Sequence, residues 1–208
     1  MANILLGVTG SVAAIKTPLL YETLRRPGHT VKVVATQASL YFFDPAEVPR
    51  DSLVLDEDEW PGRNAGRRWQ RDDEVLHIQL RRWADVLLIA PLDANTLAKL
   101  GNGLADNCLT CVWRAWEPGR PVVLAPAMNT LMWQHPATSR HLRQIAADMG
   151  AMPPAEWALD ELPVWINAHC PRLRIIAPED RRLACGDVGV GAMAGVETIL
   201  GVVQSLLE

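Results

Sequence analysis

The chain lacks a basic excess: its 20 lysines and arginines are outweighed by 24 aspartates and glutamates, for a formal net charge of −4. That removes the electrostatic footprint expected of a nucleic-acid or anionic-membrane binder. It also lacks any apolar run of the roughly 18–20 residues that a spanning helix needs. The opening residues, MANILLGVTG, have no basic stretch before the apolar part and soon meet a Gly-Ser turn, so they do not read as a secretory signal. Cysteine is scarce, with Cys108, Cys111, Cys170 and Cys185 alone in 208 residues, which argues against a disulfide scaffold. These four cysteines and the five histidines show no metal-ligand spacing. The expectation is a cytoplasmic protein with no metal, no nucleic-acid partner and no membrane partner.

What is present is enough hydrophobic residue, 49%, to bury one sizeable core, and residues 1–208 read as a single domain. The apolar run at 3–8, a helical pattern to about Arg26 stopped by Pro27-Gly28, and the β-branched run at 30–35 make a βαβ unit and so a parallel sheet. Two further runs, 85–90 ending at Pro91 and 121–125 ending at Pro126, are almost continuously apolar, as strands covered on both faces are. Helical patterns fill 95–116, broken near Gly101-Asn102-Gly103, and recur at 137–149 and 195–207. The expected fold is α/β, an open, doubly wound parallel sheet with helices on both faces, a three-layer Rossmann-like or flavodoxin-like arrangement. Residues 44–76 and 151–184 are less regular, with short apolar stretches at 53–55 and 174–177 that suit strands.

In such a sheet ligands bind at the carboxyl ends of the strands. Four strand ends carry small, amide or hydroxyl side chains: Gly10-Ser11-Val12, Thr36-Gln37-Ala38, Asp93-Ala94-Asn95-Thr96 and Ala127-Met128-Asn129. Together they outline one crevice. GVTGSVAA is neither a dinucleotide fingerprint nor a Walker loop, since its glycines fall at 7 and 10 and no Gly-Lys-Ser/Thr follows. Ser11 suits a helix cap and the turn suits a phosphate, and both readings stand. His77 alone reads more readily as structural or exposed than as catalytic. Cys108 and Cys111 form a CxxC inside an apolar helical stretch, where buried helix residues are the better reading. Cys185 differs, because it lies in LACGDVGVGAMA, where three glycines in six residues make a tightly turned or mobile segment.

Taken together, GVTGSVAAIK at 7–16, LHIQLRRWADVLLIAPLDANTLAKLGNGLADNCLTCVWRAW at 76–116, PAMNTLMW at 126–133 and LACGDVGVGAMA at 183–194 resemble the homo-oligomeric flavin-containing cysteine decarboxylases over nearly the whole chain. The resemblance implies an FMN-dependent decarboxylase acting on a phosphorylated cysteine conjugate of coenzyme A biosynthesis, through a thioaldehyde and an ene-thiolate. It implies that Gly10, Ser11, Val12, Thr36, Asp93, Ala94, Asn95, Thr96 and Ala127 contact FMN. His77 would be the base and Cys185 the final acid, on a flexible clamp at 183–194. Asn129, Met132 and Ala184 would meet the small-molecule substrate. It also implies a homo-oligomer, a trimer. Alternatives on the same scaffold are a peptidyl-cysteine decarboxylase, a flavin prenyltransferase and a non-catalytic phosphatase-regulatory relative.

Two departures stand out. Asp93 replaces a serine in the flavin loop, where its charge suits an anionic cofactor only if it points away or caps the next helix. Residues 151–182 read as an insertion near the clamp or the trimer surface.

Overall fold

The computed structural model describes residues 1–182, 186 and 188–208. Six strands, β1 (Asn3–Val8), β2 (Thr30–Ala35), β3 (Leu53–Leu55), β4 (Val86–Leu92), β5 (Val122–Pro126) and β6 (Leu173–Ile175), form one sheet in the order β3-β2-β1-β4-β5-β6. Every pairing in it is parallel. The order reverses between β1 and β4, which makes that gap the topological switch point.

Side chains alternate across the sheet, and the alternation divides the core in two. Ile4, Leu6 and Val8 of β1 pack with Val86, Leu88 and Ala90 of β4 against helices α1 (Thr17–Arg25) and α8 (Val196–Leu207). Leu5, Leu87 and Ile89 face the other way. They meet α2 (Leu76–Trp83), α3 (Ala94–Asn102), α4 (Cys108–Arg114) and α6 (Pro136–Asp148). A fully buried Leu or Ile of this kind contributes about 1.5–3 kcal/mol.

Several expected boundaries move. The stretch after Ser11 is not α-helix at first: Val12–Lys16 is a 3-10 turn, and α1 begins at Thr17. β4 does not stop before Pro91 but continues to Leu92, with a shift of register between Ile89 and Leu92. The break expected near Gly101-Asn102-Gly103 is present, so 95–116 holds two helices. Gly103, at φ 69°, takes the left-handed conformation that ends α3. Asn107 then caps α4 by accepting from the Thr110 N–H. Within 44–76 only β3 joins the sheet, as its edge. Residues 151–182 hold α7 (Leu162–His169), which buries Leu162 and Ile166 beside β6. Arg143 of α6 fastens the approach to α7 by donating to the carbonyls of Pro153 and Pro154 at 3.0 and 2.6 Å. A short helix, α5 (Thr130–Gln134), follows β5. A hairpin of β7 (Glu179–Arg182) and β8 (Val188–Ala192), antiparallel and separate from the main sheet, precedes α8. Among the described residues no helix is long and apolar enough to cross a membrane.

Helices α3 and α6 cross at Gly101, where an added Cβ would stand 3.1 Å from the Cα of His141. Gly101→Val should force them apart and cost about 1–3 kcal/mol. That loss should appear as a lower urea midpoint with an unchanged slope, and a wild-type midpoint would contradict this packing.

Candidate active site

The ends of β1 and β4 are stitched together at the switch point by Thr9, whose side chain is wholly buried. Its hydroxyl donates to the Pro91 carbonyl at 2.8 Å and accepts from the Asp93 N–H at 2.7 Å. This brings residues 10–16 beside residues 93–95, and a cleft of about 420 Å3 opens over them. That size suits a small ligand.

Nine of the residues singled out from the sequence line this cleft: Gly10, Ser11, Val12, Asp93, Ala94, Asn95, Ala127, Asn129 and Met132. Ser11 is a cap, its hydroxyl accepting from the Ala13 N–H at 3.3 Å. Gly10 is needed for close approach, since a Cβ there would lie 2.8 Å from the Cβ of Ala38. Asp93 caps α3, with Oδ1 accepting from the Thr96 N–H at 2.7 Å. That bond gives Oδ1 a partner, the capping arrangement expected as one way to accommodate it, while Oδ2 lies toward Gly10. Asn129 caps α5, with Oδ1 accepting from the Leu131 N–H at 2.9 Å.

Other lining residues had no role assigned individually. Phe42 adds apolar wall, as does Met193 from the expected clamp at 183–194, and Lys16 and Arg182 add positive charge. Gly191 of β8 also lines it; its carbonyl accepts from the Met128 N–H at 3.0 Å, and a Cβ there would fall 2.1 Å from the Met128 oxygen. Only glycine lets the hairpin lie so close to the end of β5. The repeated glycines of 186–191 were the one signal for this contact.

Thr36 and Thr96 are buried at the same edge of the sheet rather than lining the cleft. Ala184 and Cys185 lie outside the described residues. His77 is in the first turn of α2 and lines no part of the cleft. Its Nδ1 is 2.5 Å from Oε1 of Glu59, and its backbone N–H donates to Oε2 of the same carboxylate at 3.1 Å. Glu59 was not anticipated, because it ends the run Asp56-Glu57-Asp58-Glu59, which has the pattern of a solvated face.

The CxxC is at a helix start after all, since Cys108 is the first residue of α4. It is nonetheless unsuited to redox work. Burial foremost, then the Glu59 carboxylate, holds the Cys108 thiol well above the ordinary thiol range, and burial raises Cys111 as well.

The family model described as Flavoprotein matches residues 1–208. The chain belongs to the flavoprotein family. It is 45% identical over 208 residues to the phosphopantothenoylcysteine decarboxylase of Mus musculus, covering 99% of this chain and 87% of that one. It is 43% identical to a PPC decarboxylase mutant complexed with pantothenoylaminoethenethiol, with a TM-score of 0.78 and coverage of 99% and 98%. It is 44% identical to the FMN binding protein AtHal3, with a TM-score of 0.74 and coverage of 98% and 95%.

The cleft's residues fit a flavin. Val12, Phe42, Ala127 and Met193 offer apolar wall for a flat ring, while Ser11, Asn95 and Asn129 offer polar groups for its edges. Thr36 has a buried hydroxyl with no hydrogen-bond partner among the described residues, at the adjoining strand end.

Because Thr9 joins the two strand ends, Thr9→Val should orphan the Asp93 N–H. The expected loss is about 1–3 kcal/mol in urea denaturation, with flavin lost more readily on dialysis. Wild-type stability together with full flavin retention would contradict the role given to the hydroxyl.

Proposed function

We propose that this chain catalyses the FMN-dependent decarboxylation of 4'-phosphopantothenoylcysteine to 4'-phosphopantetheine in coenzyme A biosynthesis, as a cytoplasmic enzyme. The carrying observation is the full-length likeness to decarboxylases of this substrate, with the cleft at the strand ends where that fold binds ligands. The solved relative bound to an aminoethenethiol fits a route in which carboxylate leaves before the last reduction.

A cysteine carboxylate cannot simply depart, since it would leave an unstabilised carbanion. FMN, when bound, supplies oxidation of the thiol-bearing carbon and later returns the hydride, so that a thioaldehyde serves as electron sink and an ene-thiolate follows loss of CO2. Gly10, Ser11, Val12, Asp93, Ala94, Asn95 and Ala127 would hold the cofactor, with Thr36 and Thr96 shaping the strand ends beneath. The chain's remaining work is orientation and proton transfer. Asn129 would hold the substrate carboxylate from the cap of α5, with Met132 and Ala184 as walls. His77 would take the thiol proton as general base. Cys185, on a clamp at 183–194, would give the final proton.

We propose a homo-oligomer, a trimer, in which a neighbouring copy completes the site. Two features support it. His77 does not line the cleft of its own chain. Val12, Ile15 and Met132 are exposed apolar side chains on that cleft, an arrangement suited to a covering partner.

His77→Asn should abolish CO2 release yet leave the protein yellow with bound flavin. Cys185→Ser should still release CO2 but accumulate the unreduced ene-thiol, seen by mass spectrometry. Normal product at a normal rate from Cys185→Ser would remove its assignment as acid.

A further inference from the structure

We propose that Glu59 is the positioning residue for His77, setting its tautomer so that Nδ1 carries the proton and Nε2 is the proton acceptor. The inference rests on the reading of His77 as base given above.

The geometry is specific. One carboxylate holds both the ring and the backbone of one residue, through Oε1 to Nδ1 at 2.5 Å and Oε2 to the N–H at 3.1 Å. The Glu59 side chain is only 4% exposed, whereas that of His77 is 23% exposed. The carboxylate therefore sits inside, and the imidazole retains access to solvent.

The turn that carries Glu59 is itself held rigidly. Asp58 Oδ2 accepts from the Leu55 N–H at 2.8 Å, and Asp58 Oδ1 pairs with Arg50 at 2.8 Å. Asp56 Oδ2 accepts from the Gln37 N–H at 2.9 Å. The buried Cys108 thiol is also close enough to feel the Glu59 carboxyl group. Three acidic residues of the run thus serve backbone groups, and the fourth, Glu57, is left to the surface.

A neutral imidazole has one N–H. A carboxylate at Nδ1 accepts it there and leaves the lone pair on Nε2. When Nε2 takes up the substrate's thiol proton, the positive charge that develops on the ring faces the Glu59 carboxyl group. Carboxylate–histidine pairs in acyl-transfer enzymes follow the same logic, and there loss of the carboxylate yields the wrong tautomer.

The competing account is that Glu59 merely caps the first turn of α2. Glu59→Gln separates the two. Its amide oxygen can still accept from the His77 N–H, but its NH2 would then face Nδ1 as a donor and move the ring proton to Nε2.

The test is nitrogen-15 NMR of the His77 ring in the flavin-loaded protein, with steady-state turnover. The unmodified protein should show the proton on Nδ1; a ring protonated on Nε2 would overturn the proposal without any variant. Glu59→Gln should show the proton on Nε2, with KM and flavin content held and kcat lowered about 10- to 100-fold, less than the roughly 10²–10⁴-fold that a general base itself contributes, since His77 remains in place. An unchanged tautomer in Glu59→Gln overturns the proposal, as does unchanged kcat where His77→Asn is inactive. Wild-type turnover in His77→Asn would instead remove the base assignment, and the tautomer measurement would still decide whether Glu59 sets the ring.

Discussion

Everything at the cleft depends on how two parallel strands end beside each other. β1 and β4 are neighbours from which the chain winds in opposite directions, so their carboxyl ends leave a gap that no crossover helix covers. Left alone, the backbone groups there would need water. Thr9 supplies a hydroxyl that serves one strand end as donor and the other as acceptor. The Thr9 N–H adds a bond to the same Pro91 carbonyl at 3.3 Å. The glycine after it then turns the chain where a side chain would collide with Ala38. The cleft is thus a consequence of sheet topology, kept in shape by one buried hydroxyl and by the missing Cβ atoms of Gly10 and Gly191.

The same economy appears in the polar residues around it. Ser11, Asp93 and Asn129 each spend one oxygen on the turn or helix that follows their strand. Capping and ligand binding are not alternatives at such positions. A cap fixes the side chain in one rotamer and leaves its remaining atoms in a known place, which is what a binding group needs. For Asp93 the cap occupies one carboxylate oxygen, Oδ1.

Residues that declare themselves by local chemistry were legible in the sequence. The apolar runs of β1, β2, β4 and β5, the punctuation at Gly103, and the small and amide side chains at the strand ends follow from period and turn preference alone. Legibility stopped where burial is decided at long range. Glu59 sits in an acidic run whose pattern reads as solvent-facing, and only the packing of the 3-10 turn Asp56–Glu59, which follows edge strand β3, against α2 and α4 turns its carboxylate inward. Helix α7 has too little contrast between its faces to stand out among prolines and tryptophans. Lys16 and Arg182 reach the cleft from a 3-10 turn and from a two-stranded hairpin, neither of which has a strong periodic signature. His77 was legible only through the whole set of motifs, because nothing in its own neighbourhood marks it.

A cleft built this way would hold FMN and remove the carboxylate of a phosphorylated pantothenoyl cysteine. The most direct measurement is product analysis after incubating the flavin-loaded protein with 4'-phosphopantothenoylcysteine, in parallel with a cysteine-terminated peptide. Release of CO2 with formation of 4'-phosphopantetheine, and no decarboxylation of the peptide, is the predicted result. A yellow, flavin-loaded protein that leaves 4'-phosphopantothenoylcysteine unchanged would contradict it.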